Sequence, residues 1–188
     1  GVTALSVSVA PNTNNEIALA NIKANSSKGK WIGMSPAHDL SALICGSGPS
    51  LLDTIELIRA YKGVRFGLNN AAKILHDNGI EVDYQVLLDA RQENVEFVQK
   101  QYAKAYLLAS QVHPDIYEAV KDREFYIWHA MLDGIEKVLG GNISLIGGGT
   151  TIGLSAMALA YTMGFRKFGL FGYDSSYRED GLKQHAAP

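Results

Sequence analysis

The stretch that decides the fold is "ALICGSGPSLLDTIELI", which runs from Ala42 to Ile58. A short apolar run leads into a glycine-bearing turn, and apolar residues then recur with helical spacing. A strand, a glycine turn and a helix in this order can seat a phosphate group, because main-chain amides and the positive helix end attract anions. The predicted phosphate-binding loop consists of Gly46, Ser47, Gly48, Pro49 and Ser50.

Apolar runs of the same kind recur along the chain and alternate with segments of helical periodicity. The strand-like runs cover 41–45, 64–68, 84–88, 105–109, 124–128, 143–146 and 167–171. The helical segments cover 14–25, 49–61, 70–78, 92–102, 114–121, 131–139 and 150–163. This alternation predicts a three-layer, Rossmann-like α/β fold, a mostly parallel sheet with helices on both faces. We expect residues 1–40 to be an N-terminal helix and linker that pack on a nucleotide-binding domain at 41–188.

The amino-acid composition limits the binding partners and the cellular compartment that we expect for this protein. The 188 residues carry a net charge of −2, so we expect no nucleic-acid partner. Cys45 is the only cysteine, which excludes an intrachain disulfide. No apolar run is long enough to span a bilayer, and the start "GVTALSVSVAP" lacks the cationic region of a signal peptide. We therefore predict a cytoplasmic protein without a membrane span. A homo-oligomer stays open, because helices that cover a twisted sheet often form dimers.

A second glycine loop, "GGGTT", follows the sixth strand and opens the last long helix. It is no Walker A motif, because no Lys-Ser/Thr pair follows the glycines. Its threonines can cap the helix and offer hydroxyls to an anion. In sheets of this kind ligands bind beyond the carboxyl ends of the strands, where both glycine loops are expected. The predicted contributors from this loop are Gly148, Gly149, Thr150 and Thr151.

Carboxylates, amides and histidines fall at the same predicted edge. Asp89 and Asp174 each follow an apolar strand, where a carboxylate can bind Mg²⁺, bond a substrate or act as a base. The alternative for Asp89 is to cap the next helix. Asn69 and His129 also follow strands, whereas Asp83 is expected at the opposite edge or at the strand entry. The three remaining histidines outside the tail, His38, His76 and His113, are interpreted as structural.

Two departures separate the first loop from the G-x-G-x-x-G loop of dinucleotide enzymes. Leu51 stands where the third glycine would, and Asn69-Asn70 stands where such enzymes carry a ribose-binding acid. An NAD(P)-dependent oxidoreductase is therefore disfavoured. A glycine turn that only joins a strand to a helix remains the structural alternative.

Four segments together resemble the MptE-like family: "CGSGPSLLDTIELI", "GLNNAAKILHDNGIEVDYQVLLDA", "GGGTTIGLSAMALAYTMGFRKFGLFGYDSSY" and "QHA". That family is named for archaeal 6-hydroxymethyl-dihydropterin pyrophosphokinases and is similar to the motility-accessory-factor glycosyltransferases of bacteria. It also looks distantly like bacterial sialyltransferases, which share a G-x-G-P-S start and a G-x-D-x-x-Y segment. The resemblance covers roughly Leu43 to His185.

The resemblance implies roles for individual residues. It places a nucleotide on both glycine loops and Asn69, with Tyr177 and Asp174 in the G-x-D-x-x-Y segment. It implies Asp89, Asp174 and His185 as catalytic residues, and Asp89 and Asp174 as Mg²⁺ ligands if ATP is the donor. Family members usually continue with helices that close the site, and here the chain ends three residues after His185. From this we expect a fragment or a short variant.

The resulting hypothesis is a nucleotide-dependent transferase with a small-molecule acceptor. In its first form, ATP donates a diphosphate to a pterin-type hydroxymethyl acceptor. In the alternative form, a CMP-sugar donates a glycosyl group, Asn69 lies near the leaving phosphate and His185 takes the acceptor proton. A non-catalytic nucleotide-binding domain is the third hypothesis.

Overall fold

A computed structural model describes residues 13–149 and 151–175. Within them lie seven strands: β1 (Ser41–Cys45), β2 (Val64–Leu68), β3 (Val82–Leu87), β4 (Ala103–Ala109), β5 (Glu124–Ala130), β6 (Leu145–Ile146) and β7 (Lys167–Phe171). The α-helices are α1 (Thr13–Asn25), α2 (Ser50–Asp53), α3 (Ile55–Ala60), α4 (Ala71–Asp77), α5 (Pro114–Ala119), α6 (Ile135–Leu139) and α7 (Ile152–Thr162). Two 3₁₀-helices cover Gln92–Phe97 and Tyr173–Ser175.

The strands form one sheet in the order β6-β5-β4-β3-β2-β1-β7, and every pair in it is parallel. The chain steps in one direction from β1 to β6 and then returns past the starting strand to β7. Because parallel strands end at the same edge, all seven following loops begin there. The reversal of direction at β1 is the switch point at which sheets of this type bind ligands.

Helices cover both faces of the sheet. A Cβ atom at Gly67 in β2 would lie 3.0 Å from Ala72 of α4. The residue before Gly67 in the same strand, Phe66, packs edge-on against Phe165, with the two ring centroids 5.4 Å apart. Phe165 follows α7. Adjacent strand residues point to opposite faces, so α4 and the end of α7 lie on opposite sides. The predicted three-layer α/β architecture is confirmed.

Apolar burial in the central strands stabilises this arrangement. Trp128 of β5, Tyr106 of β4 and Phe66 of β2 are the largest side chains that are fully buried. Burying such a ring contributes roughly 1.5–3 kcal/mol relative to leaving it exposed. The strands are apolar on both faces because both faces carry helices.

Helix α1 and the linker after it are anchored by polar contacts. The buried Asn25 side chain donates from Nδ2 to the carbonyls of Ser110, at 3.0 Å, and Val112, at 2.7 Å. Asn21 donates to Ala90 O and Gln111 O. These bonds hold α1 beside the loops that follow β3 and β4, at the carboxyl edge of the sheet.

Candidate functional site

A cleft of about 1200 Å³ lies at the carboxyl edge of the sheet. Loops after six of the seven strands, β1 to β6, and helix α1 contribute to its walls. The lining includes Asn14, Asn15, Ile17, Ser47, Asn69, Asn70, Asp89, Arg91, Gln92, Glu93, Asn94, Gln111, His113, Met131, Leu132 and Gly149. Seven of these side chains are amides, which can donate and accept hydrogen bonds without carrying charge.

Asn69 is held in the cleft wall by a strained backbone and a buried glutamine. Its φ of 49° makes it the one non-glycine residue with positive φ in the described part of the chain. Gln85, fully buried in β3, donates from Nε2 to Asn69 O at 3.0 Å and to Phe97 O at 2.7 Å. The Asn69 Oδ1 atom is buried and has no hydrogen-bond partner among the described residues. A strained residue with an unpaired acceptor on a cleft wall indicates a ligand contact.

The first glycine loop packs against the loop after β7 more than it opens to the cleft. Gly46 N donates to Phe171 O and Gly48 N to Gly172 O, both at 2.8 Å. A Cβ atom at Gly48 would lie 2.6 Å from Gly172 O, so glycine is needed for this close approach. Of the predicted loop, Ser47 is the residue that lines the cleft. The assignment of Gly46, Gly48, Pro49 and Ser50 to a nucleotide stays a prediction.

Asp174 binds the start of α2. Its Oδ2 accepts a hydrogen bond from Ser50 N at 3.1 Å, and its Oδ1 accepts one from Ser50 Oγ at 2.7 Å. The helix it meets has four residues and ends at Asp53, and the hydroxyl of the next residue, Thr54, donates to Ser50 O and Leu51 O. The amide at the start of α2 that sequence reasoning offered to a phosphate is thus paired with a carboxylate of the protein itself.

The second glycine loop leads into a longer helix whose first turn keeps polar atoms unpaired. The Thr151 Oγ1 and Ser155 Oγ atoms are buried and have no partner among the described residues. Gly148 lies so close to α7 that a Cβ there would be 2.6 Å from Ser155 Cα. Helix α7 has 11 residues, and the amides of its first turn have no intrahelical acceptor. Amides and hydroxyls together make this helix start the stronger candidate for anion binding of the two.

The two glycine loops reach the same cleft although β1 and β6 are five positions apart in the sheet. Ser47 from the first loop and Gly149 from the second both line it. Tyr173, directly after Gly172, donates from its hydroxyl to Gly153 O in the first turn of α7 at 3.0 Å. This bond ties the start of α7 to the segment that the first loop packs against.

Asp89 forms a close pair with Arg91 on the cleft wall. Arg91 donates from Nε to Oδ2 at 2.9 Å, from Nη2 to Oδ2 at 2.6 Å and from its backbone N to Oδ1 at 2.9 Å. Burial raises the pKa of the Asp89 carboxyl, but the Arg91 hydrogen bonds and charge outweigh burial and hold the pKa below its ordinary value. Asp89 is therefore ionised at neutral pH. It is an anionic acceptor and a weak base.

The donor set does not form a ready magnesium site. Both oxygens of Asp89 face a guanidinium, and both oxygens of Asp174 accept from Ser50. Within residues 13–149 and 151–175 no group of three or more His, Cys, Asp or Glu side chains could hold a metal ion. The assignment of Mg²⁺ to Asp89 and Asp174 stays a prediction, and no catalytic step is derived through a metal.

His129 lies beneath the cleft. It is 1% exposed, its Nδ1 lies 2.8 Å from Ser110 Oγ, and its Nε2 is buried without a partner among the described residues. Burial lowers the pKa of its imidazole, so the ring is neutral at pH 7. The Trp31 ring stacks edge-on against it at a centroid distance of 4.4 Å. Its neighbour Ala130 lines the cleft.

Three predicted site residues, Thr150, Tyr177 and His185, lie outside the described residues. Cys45 is fully buried, and burial raises the pKa of its thiol to about 12, so it is no nucleophile. Asp83 lies at the amino end of β3, where it accepts from Arg65 N at 2.8 Å, as expected.

Sequence reasoning missed the α1 side of the cleft. Asn14, Asn15 and Ile17 line it, and so does His113, which was interpreted as structural and caps α5 by accepting from Asp115 N. Arg91 was also missed. Its signal was available, because it follows Asp89 by two residues at a strand end. The position of α1 had no comparable signal, since periodicity does not place a first helix relative to a sheet.

None of the helices in the described part of the chain is long and apolar enough to cross a membrane.

The fold and cleft define a parallel α/β protein with a large cleft at the carboxyl edge of its sheet. The chain belongs to the MptE-like family: the family profile described as "6-hydroxymethylpterin diphosphokinase MptE-like" matches residues 14–180. No curated protein matches its sequence.

One solved structure with the same fold is the MAf glycosyltransferase from Magnetospirillum magneticum AMB-1. The two agree with a TM-score of 0.74 at 24% identity over 86% of this chain. The match covers 27% of the glycosyltransferase, so this chain spans about a quarter of that protein's length.

Proposed function

We propose that the chain binds a nucleotide in the cleft and serves a nucleotide-dependent transferase reaction. Membership of the MptE-like family supports the transferase class. The observation that carries the proposal is the start of α7. There the buried hydroxyls of Thr151 and Ser155 have no partner in the described part of the chain, and the first-turn amides have no intrahelical acceptor. This helix start lies next to the cleft residue Gly149.

The phosphates would bind at this helix start. Main-chain amides there point along the helix axis and carry partial positive charge, which favours an anion. The Thr151 and Ser155 hydroxyls can each donate one hydrogen bond to a phosphate oxygen. Glycines at 147–149 let the ligand approach the backbone closely. The first glycine loop would contribute through Ser47, while its remaining amides hold the β7 loop.

The nucleoside and the acceptor would share the amide-rich walls. Asn69 Oδ1 is an acceptor without a partner among the described residues and suits a ribose hydroxyl or an exocyclic base amine. The opposite wall, from α1 and the loop after β4, presents Asn14, Asn15 and Gln111. A volume of about 1200 Å³ exceeds the usual 300–1,000 Å³ of a single small-ligand pocket, which leaves room for donor and acceptor together.

In the diphosphokinase form, the acceptor hydroxyl attacks the β-phosphorus of ATP, the bond to the α-phosphate oxygen breaks, and AMP leaves. Phosphoryl transfer of this kind depends mainly on positioning and charge neutralisation. Asp89, which lies on the cleft wall as an ionised carboxylate, would orient the attacking hydroxyl. The name of the family supports this form.

The donor set favours a second candidate, a CMP-sugar-dependent glycosyltransferase. Because Asp89 and Asp174 are paired within the protein, a donor that needs no metal fits the cleft at least as well. The leaving phosphate of CMP would then sit on the start of α7, and His185 keeps its predicted role as base. A non-catalytic nucleotide-binding domain is the alternative that predicts binding without turnover.

Binding measurements test the proposal. We expect the melting temperature to rise with ATP, CMP or GDP, with and without Mg²⁺, because a ligand that binds the native state stabilises it. Thr151→Val and Ser155→Ala should each weaken binding of the active nucleotide by about tenfold. Thr162→Val, at the other end of α7, removes a hydroxyl that bonds Ala158 O and is the matched control.

Turnover separates the forms. Release of AMP with a hydroxymethylpterin acceptor supports the diphosphokinase, and release of CMP from a CMP-sugar supports the glycosyltransferase. Binding without either product indicates a binding domain. If no nucleotide stabilises the protein at millimolar concentration, the proposed function is wrong.

A further inference from the structure

We infer that Arg91 is the phosphate-binding cation of the cleft, and that Asp89 occupies its guanidinium until a nucleotide replaces the carboxylate. This inference rests on the proposed nucleotide binding and assigns the charge partner of the phosphates. The anion site would then have two parts, the start of α7 and Arg91.

Charge in the cleft supports the inference. Among the described residues that line it, Arg91 is the only lysine or arginine, whereas Asp89 and Glu93 are both carboxylates. A nucleotide carries at least one further negative charge into this space. Because the carboxylates are not arranged for a metal, Arg91 is the cation at hand to neutralise the phosphates.

The geometry of the pair supports an exchange. The guanidinium donates from Nε to Asp89 Oδ1 at 3.1 Å and from Nη2 to Oδ2 at 2.6 Å, the two-point contact that arginine also makes with phosphate oxygens. The Arg91 side chain is 72% exposed and that of Asp89 38% exposed, so water competes for both. An exposed ion pair is weak, and a phosphate of higher charge can displace the carboxylate.

Affinity measurements with Arg91→Gln and Asp89→Asn test the inference. The probes are ADP and CMP, with adenosine and cytidine as phosphate-free counterparts, by isothermal titration calorimetry at low salt. We expect Arg91→Gln to weaken nucleotide binding by about tenfold or more and to leave nucleoside binding unchanged. Asp89→Asn should retain or strengthen nucleotide binding by up to about tenfold, because it removes the negative charge that competes with a phosphate for the guanidinium.

Weaker nucleotide binding in Arg91→Gln, together with retained or stronger binding in Asp89→Asn, distinguishes a ligand-exchange role of Arg91 from a structural one. If Arg91→Gln and Asp89→Asn weaken binding equally, or if Arg91→Gln has no effect, the inference is wrong although the proposed function stands. If the wild-type protein binds none of the probes, the inference and the proposed function both fail. Lys100→Gln and Asp122→Asn break a similar exposed pair, with Nζ and Oδ2 2.7 Å apart, and should not change affinity.

Discussion

At the scale of single residues, substitution of Gly148 tests how tightly the second glycine loop packs against α7. Its φ is +129°, and a Cβ would lie 2.6 Å from Ser155 Cα and 2.7 Å from Ser155 Oγ. We expect Gly148→Ala to destabilise the protein by about 3 kcal/mol, because overpacking and backbone strain add. Urea denaturation measures the change.

Gly147→Ala is the matched control in the same loop. The nearest atom to a Cβ there is Met131 Sδ at 3.9 Å, an ordinary contact. We expect a change within about 0.5 kcal/mol. Equal stability of the two alanine variants would contradict the close packing of Gly148 on α7.

A second residue-scale prediction concerns acid sensitivity at His129. Burial lowers the pKa of its imidazole below the ordinary 6.5, so the unfolded chain binds the proton more readily than the folded one. Stability should therefore fall as pH drops below about 6.5, by up to about 1.4 kcal/mol per pH unit until the lowered pKa is reached.

His129→Asn should remove this part of the pH dependence, measured as the free energy of unfolding in urea between pH 7.5 and 5. Ser110→Ala deletes the hydrogen bond to Nδ1 but keeps the imidazole, so it should lower stability by about 1 kcal/mol at pH 7.5 and retain the acid dependence. Parallel pH profiles for wild type and His129→Asn would refute the assignment.

At the scale of elements, the bond from Tyr173 to the first turn of α7 joins the two glycine loops. Tyr173→Phe removes the hydroxyl that donates to Gly153 O. We expect a loss of about 1 kcal/mol in stability and weaker nucleotide binding, since the start of α7 loses its tie to the first loop. Tyr161→Phe, an exposed tyrosine near the other end of α7, should change neither quantity. An effect on stability without any on binding would mean that the two loops act independently.

The presence of the strands and helices could be predicted from the sequence where the apolar runs are long. Three strands, β1, β2 and β7, have the predicted bounds. Strand β1 and the end of β2 are buried and read as continuous apolar runs, and the edge strand β7 has the same kind of run although it is partly exposed. The predicted helix at 49–61 is two helices, because the helix is interrupted at Thr54, whose hydroxyl donates to the carbonyls of Ser50 and Leu51. The predicted helix at 92–102 is a 3₁₀-helix over Gln92–Phe97, whose end carbonyl, Phe97 O, is held by buried Gln85.

The edge of the sheet at which the cleft lies could be predicted from the sequence, but the contacts of the individual site residues could not. Parallel strands place Ser47, Asn69, Asp89 and Gly149 on one rim, and the cleft includes all four. Which amides remain open depends on tertiary pairing, such as Asp174 with Ser50, which no periodicity reveals. The wall formed by α1 depends on the Asn25 and Asn21 hydrogen bonds across more than 65 residues of sequence.

At the scale of the whole molecule, the contacts of the linker predict that residues 13–40 unfold together with the sheet. Ile32 N donates to Ile127 O and Ile127 N to Lys30 O, both at 2.8 Å, so the linker pairs with β5. Trp31 Nε1 donates to Ser26 O at 2.7 Å, and the chain's other tryptophan, Trp128, is fully buried in β5. The fluorescence of Trp31 therefore reports unfolding of the linker, and the fluorescence of Trp128 reports unfolding of the sheet.

Urea denaturation of Trp31→Phe and Trp128→Phe checks this prediction. Within each variant, fluorescence of the remaining tryptophan and far-UV circular dichroism should change at the same midpoint, because a two-state domain shows coincident transitions. The comparison is made within a variant, since Trp128→Phe leaves space in the core and lowers stability by itself. A Trp31 transition at lower urea than the loss of circular dichroism would mean that the linker opens before the sheet. The α1 wall of the cleft would then be free to move when ligands bind.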